Sequence, residues 1–215
     1  MPRNGKDALD APVPYECRGA DTPVEPRRKE AVEVVLRPGT VDELDALSAL
    51  MQPRDIWGNL RFKRPPTPFV LRLLWRSGLQ VLFIHRSDDE RLVGFFLVYG
   101  PDDPLAAREF DGAILHVGDR RLGLAQKSVH AFQDRMFSAR RCAALVASIN
   151  AENVPSQQLL RSCGFRVTPG EPEDVGLVRG VVQTYDAQMN RVDWERLRAQ
   201  QAHRRATLGQ SAHRR

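Results

Sequence analysis

One glycine-bearing turn constrains this chain more than any other feature. Arg120-Arg121-Leu122-Gly123-Leu124-Ala125 joins an apolar, strand-like stretch to an amphipathic helical pattern. Glycine tolerates backbone conformations that other residues resist, so N–H groups at such a turn converge on an anion where the helix dipole also favours negative charge. A second unit follows: Asn150-Ala151-Glu152-Asn153-Val154-Pro155-Ser156, closed by Cys163-Gly164-Phe165. It reads as strand, capped helix and glycine stop. Together the two units predict a domain that grips a nucleotide-like cofactor through its pyrophosphate.

Around them the pattern alternates between strands and helices. Val32 to Arg37 reads as a strand, and Thr40 with Glu43 forms a capping box before Leu44, Leu47, Leu50 and Met51. Residues 53 to 67 carry three prolines and read as a shaped loop, leading into a helix from Pro68 to Ser77 that Gly78 ends. Leu79 to His85 and Leu92 to Tyr99 read as a β-hairpin about Ser87-Asp88-Asp89-Glu90. A strand is expected over 108 to 117, then a helix whose buried face is Ala125, Val129, Phe132 and Met136. Cys142 to Ile149 reads as a strand buried on both faces, and Val181 to Met189 as a final strand.

The ends read differently. Residues 1 to 30, broken by Pro12, Pro14, Pro23 and Pro26, are expected to be disordered, leaving a folded domain over 31 to 197 and a basic tail over 198 to 215. The net charge of +5 lies wholly in residues 191 to 215, where seven arginines face Asp193 and Glu195. Such a tail attracts nucleic acid or ribosomes nonspecifically, but no aromatic residue interleaves with the arginines beyond Trp194, so a solvated helix end is the simpler reading. Three cysteines with no pairing pattern argue against a disulfide framework or a metal cage, and no metal is expected. The longest apolar run, around Phe95 to Tyr99, is far short of a membrane span. A soluble, cytoplasmic protein is expected.

The Arg120-x-x-Gly123-x-Ala125 turn, with Asn150, Asn153, Ser156, Leu160 and Gly164-Phe165 at their interval from it, resembles the GCN5-related N-acetyltransferases over roughly Val32 to Glu195. The resemblance implies an α/β fold: a mixed, mostly antiparallel sheet flanked by helices, in which two central parallel strands splay apart, here 108 to 117 and 142 to 149. It implies acetyl-CoA as cosubstrate, its pantetheine arm paired with the backbone of Leu115 and Val117. The pyrophosphate would then rest on Arg121, Leu122, Gly123, Leu124 and Ala125, beside the charge of Arg120 or Arg121. Asn150 and Asn153 would hydrogen-bond the cofactor or cap the following helix. Where the family often has a second glycine, this chain has Arg121, whose side chain must point outward.

By the same resemblance the reaction moves an acetyl group to a primary amine by direct attack. The general base would be Glu109, with Asp111 on the same face in reserve. Many family members protonate the leaving thiolate with a tyrosine four residues before the helix-ending glycine; here that position is Leu160, and Ser156 is the nearest substitute, although it reads equally as a helix-start serine. Cys142 and Cys163 have no histidine nearby in sequence and read as inert core thiols. The acceptor is left open among a protein N-terminus or lysine, a polyamine-like metabolite and an aminoglycoside, as is assembly into a homodimer. The missing tyrosine keeps a second reading alive, a catalytically silent CoA-binding adaptor or sensor.

Overall fold

A computed structural model of the chain describes residues 32–60, 62–115, 123–174 and 181–212. The expected disordered segment over 1 to 30 lies outside them. The chain begins with β1 (Val34–Pro38), a 3-10 turn (Val41–Glu43) and α1 (Leu44–Leu50). The capping glutamate is in place: the Glu43 carboxylate accepts from the Thr40 N–H at 2.9 Å and the Thr40 hydroxyl at 3.0 Å, and it also holds Arg37. The proline-rich stretch holds one short helix, α2 (Arg54–Trp57), before α3 (Pro68–Arg76). Thr67 caps α3 from its side-chain oxygen, Pro68 sits in the first turn where its missing N–H costs nothing, and Gly78 takes a φ of 96° after the last turn.

The predicted hairpin forms as β2 (Gln80–Arg86) and β3 (Leu92–Tyr99), followed by β4 (Ala107–Ile114), α4 (Leu124–Ser138), β5 (Ala144–Asn150) and α5 (Val154–Ser162). The C-terminal part differs from the expected single strand. Arg166–Pro169 forms β6, Glu173–Asp174 (β7) pairs with Val181–Val182 (β8) in a separate ribbon, and the last long strand is β9 (Thr184–Asn190). From Arg191 the backbone is helical to Ala212 as α6, which takes in most of the stretch expected as a basic tail. The main sheet has the order β1-β2-β3-β4-β5-β9-β6, with β4 and β5 parallel and every other neighbour antiparallel.

Two cores lie on opposite faces of this sheet. One joins Leu82, Phe96, Phe110, Leu145 and Met189 to α4 and α5; the other joins Val81, Phe83, Phe95 and Leu97 to α1, α2 and α3. In the first core Phe132 of α4 stacks on Phe96 with ring centroids 4.7 Å apart and lies 5.0 Å from Phe110. Among the described residues the second core contains nothing from β5 or β9, so Val146 and Ser148 are half-buried. The expected strand buried on both faces is therefore buried on one, because α1 to α3 stop short of it.

Truncating Phe132 to Ala removes a fully buried ring from three packed aromatics. The expected loss is about 3–5 kcal/mol of unfolding free energy, read from the urea midpoint. A second prediction concerns acid. The Arg37 hydrogen bond, with those from Thr40, holds the Glu43 carboxyl down to about 2, below its ordinary value of about 4.3. A folded-state value below the unfolded one stabilises the protein above the unfolded pKa and ceases to do so as pH falls through the folded pKa. The stability gap between wild type and Glu43→Gln should be full at pH 6 and close toward pH 2 in denaturant titrations.

Candidate active site

Strands β4 and β5 pair over three positions only: Ala107 with Ala144, Arg108 with Leu145 and Glu109 with Val146. Both strands continue, β4 along β3 as far as Ile114 opposite Gly94, and β5 along β9 as far as Asn150 opposite Thr184. Each is held by its outer neighbour while the inner ladder stops, which opens a wedge in the middle of the sheet. Polar backbone groups along a wedge of this kind need partners that the sheet itself does not provide.

The base of the wedge is locked by Arg108, which is fully buried. Its guanidinium donates to the Gly100 carbonyl at 2.8 Å and, at 3.4 Å, to the Tyr99 carbonyl and to the Gln80 side chain; it also pairs with Asp102, which Arg141 reaches at 3.4 Å. Burial lowers the Arg108 pKa from its ordinary value, and the Asp102 carboxylate works against that shift. Arg191 at the start of α6 adds a bond to the Cys142 carbonyl, and its N–H donates to Ala143 at 3.0 Å. Sequence reading passed over Arg108. An arginine inside a strand, two residues before a buried phenylalanine, was the signal available.

Glu109 occupies the last paired position, at the vertex where the strands part, and is half-buried. Alternation puts it with Asp111 on the face of α1 to α3, opposite Arg108 and Phe110. Asp111 is 7% exposed and accepts from the Tyr99 hydroxyl at 3.2 Å, so it is held in the structure. Val146 and Ser148 of β5, with Asp186 and Gln188 of β9, continue the same face by their pairing register. That face carries three carboxylates beside the wedge: Glu109, Asp111 and Asp186.

At the open end lie the two predicted turns. Gly123 has a φ of 76° and caps α4, and an added Cβ there would meet open space. The first helical bond runs from Lys127 N–H to the Gly123 carbonyl at 3.1 Å, so the N–H groups of Leu124, Ala125 and Gln126 precede the helix ladder. Val117, Arg120, Arg121 and Leu122 lie outside the described residues. Leu115 departs from expectation. Its N–H donates to the Val93 carbonyl at 2.9 Å and so turns toward β3 rather than into the wedge. Antiparallel strands present alternate residues to each neighbour, which assigns the β5 side of β4 to the backbone of Phe110, Gly112 and Ile114.

On the other side of the wedge, Asn153 caps α5 by accepting from Ser156 N–H at 3.2 Å, and Asn150 accepts from Glu152 N–H at 3.0 Å. Both asparagine side chains therefore already shape the turn. Ser156 stands half-buried in the first turn of α5, and its hydroxyl has no bond to another described residue. Leu160 is buried in the core and Tyr185 lies against the same core. Burial pushes the Cys142 and Cys163 thiols up to about 11, which removes them as nucleophiles near neutral pH. Among the described residues no cluster of His, Cys, Asp or Glu could hold a metal ion, and no helix is long and apolar enough to cross a membrane.

Comparison with known proteins agrees with the wedge. The family model described as "Acetyltransferase (GNAT) domain" matches residues 33–166, most of the chain. The chain therefore belongs to the GNAT acetyltransferase family. Among solved structures it is similar to the spermidine N-acetyltransferase from Vibrio cholerae in complex with CoA and spermine. The identity is 15% over 75% of this chain and 98% of that one, at a TM-score of 0.64. It is likewise similar to the aminoglycoside acetyltransferase AAC(6')-Ib in complex with coenzyme A, with 16% identity over 77% and 99% of the two chains and a TM-score of 0.59. A domain from Methanocaldococcus jannaschii gives 18% identity over 74% and 99%, with a TM-score of 0.60. At such identities the likeness is one of fold. No curated protein sequence matches this chain significantly.

Replacing Arg108 with Met should orphan the Gly100 carbonyl at the base of the wedge and leave Asp102 with Arg141 as its remaining cation. The expected cost is about 1–3 kcal/mol in a denaturant titration, together with faster hydrogen exchange at Leu145 and Val146.

Proposed function

We propose that the protein transfers the acetyl group of acetyl-CoA to a primary amine by direct attack at the vertex of the β4–β5 wedge. The observation that carries this reading is the coincidence of the parted strands with a left-handed Gly123 whose missing side chain leaves open space before the helix. The pantetheine arm would lie along the β4 edge, with the pyrophosphate over the N–H groups of Leu124, Ala125 and Gln126. The proposal extends the phosphate cradle to Arg120, Arg121 and Leu122. The chemistry needs no metal.

An alkylamine with a pKa of about 10 is mostly protonated at pH 7, a penalty of about 4 kcal/mol that a base must offset. Glu109 is the proposed base because it stands at the vertex, directly or through one water. Asp111 is the weaker candidate because Tyr99 already donates to it. The amine nitrogen then forms a bond to the thioester carbon as the carbon–sulfur bond breaks. The amine proton passes to Glu109, and the thiolate takes a proton from solvent, directly or relayed through the Ser156 hydroxyl, which solvent reprotonates in the same step. Buried Leu160 has no proton to give.

The acceptor we favour is a small polycation. Half-buried Glu109 and exposed Asp186 lie on one face of the sheet, and solved relatives by fold hold spermine in one case and act on aminoglycosides in another. A protein N-terminus or lysine remains the second class for an acceptor screen. The silent-adaptor reading draws on Leu160 and on a base assigned only by family pattern, and it predicts CoA binding without turnover. Free buried Cys142 and Cys163 fit a reducing, cytoplasmic setting.

Calorimetric titration with acetyl-CoA should give micromolar binding that Gly123→Trp abolishes; wild type without binding would end the acetyltransferase reading. In a screen of spermine, spermidine, kanamycin and a peptide with a free N-terminus, Glu109→Gln should keep acetyl-CoA affinity and lower turnover roughly a hundredfold or more, with the loss smallest at high pH where the amine is already neutral. An unchanged rate would move the base elsewhere.

A further inference from the structure

A second cleft, of about 280 Å³, lies at the closed end of the sheet, away from the wedge opening. Gln80 in its wall pairs with Val98, and Val98 with Phe110, which places the cleft beside the paired base of β4. Its wall is Pro38, Leu79 and Val81, with the Trp75 ring at the end of α3 and two guanidiniums, Arg135 and Arg141, at the end of α4 and just beyond. Among the described residues no carboxylate lines it. Arg141 shares Asp102 with Arg108. Arg135 has no ion pair or hydrogen bond to any described residue, and its Nε is buried without a partner.

A buried donor without an acceptor is costly, and a guanidinium fork matches a carboxylate with two parallel bonds. We propose that this cleft binds a small organic carboxylate, its charged end on Arg135 and its apolar body between the Trp75 ring and the Leu79–Val81 wall. An apolar pocket with one or two convergent polar groups is the usual form of a small-molecule site. One unpaired guanidinium and a second already shared with Asp102 suit a monoanion better than a phosphate dianion. The site does not rest on the acetyl-transfer reading: it meets the wedge only at its locked base, where Gln80 accepts from Arg108 and Arg141 shares Asp102.

The test is a tryptophan-fluorescence titration of the full chain, without acetyl-CoA, using benzoate, benzyl alcohol and phenyl phosphate. Benzoate should change the emission saturably, the change should vanish in Trp75→Phe, and benzyl alcohol, which has the ring without the charge, should give none. Arg135→Gln, verified as folded by circular dichroism, should weaken benzoate by about tenfold or more. Arg135→Lys keeps the charge without the fork and should also weaken it, which provides the same test should the glutamine variant fail to fold. Equal responses to benzoate and benzyl alcohol, no saturable response, or undiminished benzoate affinity in a folded Arg135 variant would overturn the proposal. Tighter binding of phenyl phosphate than of benzoate would overturn its carboxylate chemistry.

Discussion

Two parallel strands that begin to pair at Ala107 and Ala144 stop pairing after Glu109 and Val146, and most of what distinguishes this protein is arranged around that parting. The opening is sustainable because each strand retains a full antiparallel ladder on its outer side, β4 with β3 and β5 with β9. It is kept to one end because Arg108, buried in the base, ties β4 to the Tyr99, Gly100 and Asp102 segment, and Arg191 ties the entry to β5 to the start of α6. A buried guanidinium satisfied by carbonyls and one carboxylate is specific about geometry, since losing a partner costs more than the bond itself contributes.

The two faces of the sheet divide the labour. On one, Phe96, Phe110 and Phe132 pack α4 against the central strands, which fixes where the N-terminus of α4 points and hence where Gly123 stands. On the other, α1 to α3 cover β1 to β4 and leave β5 and β9 uncovered, so Glu109 at the edge of β4 and Asp186 on β9 lie beside an open floor while Asp111 is buried. One face thus positions the Gly123 turn, and the other leaves the β5–β9 side of the sheet open.

Local signals were legible wherever neighbours in sequence make the interaction. The Thr40–Glu43 cap, the Thr67 and Pro68 start of α3, the β2–β3 hairpin, the Val129, Phe132 and Met136 stripe, and the Asn153 cap of α5 all depend on residues within a few positions of one another. Features set by distant partners were not. The short β6 exists because it pairs with β9, and the β7–β8 ribbon because two brief stretches meet across a loop. The half-burial of β5 reflects where α1 to α3 happen to end. Leu115 was expected to face the wedge, but which residues of β4 face it depends on the hydrogen-bonding register with β3, which periodicity does not reveal.

By itself the sequence determined the type of the elements from β1 to α5, α2 excepted, and the two turns that identify the family, because glycine freedom, helix caps and hydrophobic period act over short distances. It also named Glu109 as a candidate base, but only on a family pattern. Tertiary structure decided that Glu109 stands at the vertex, that Asp111 is held by Tyr99, and that Arg108 rather than any predicted site residue locks the base of the wedge. It decided these because strand register, burial and long-range pairing arise from contacts between residues far apart in the chain, where a shift of one position exchanges which groups face the opening.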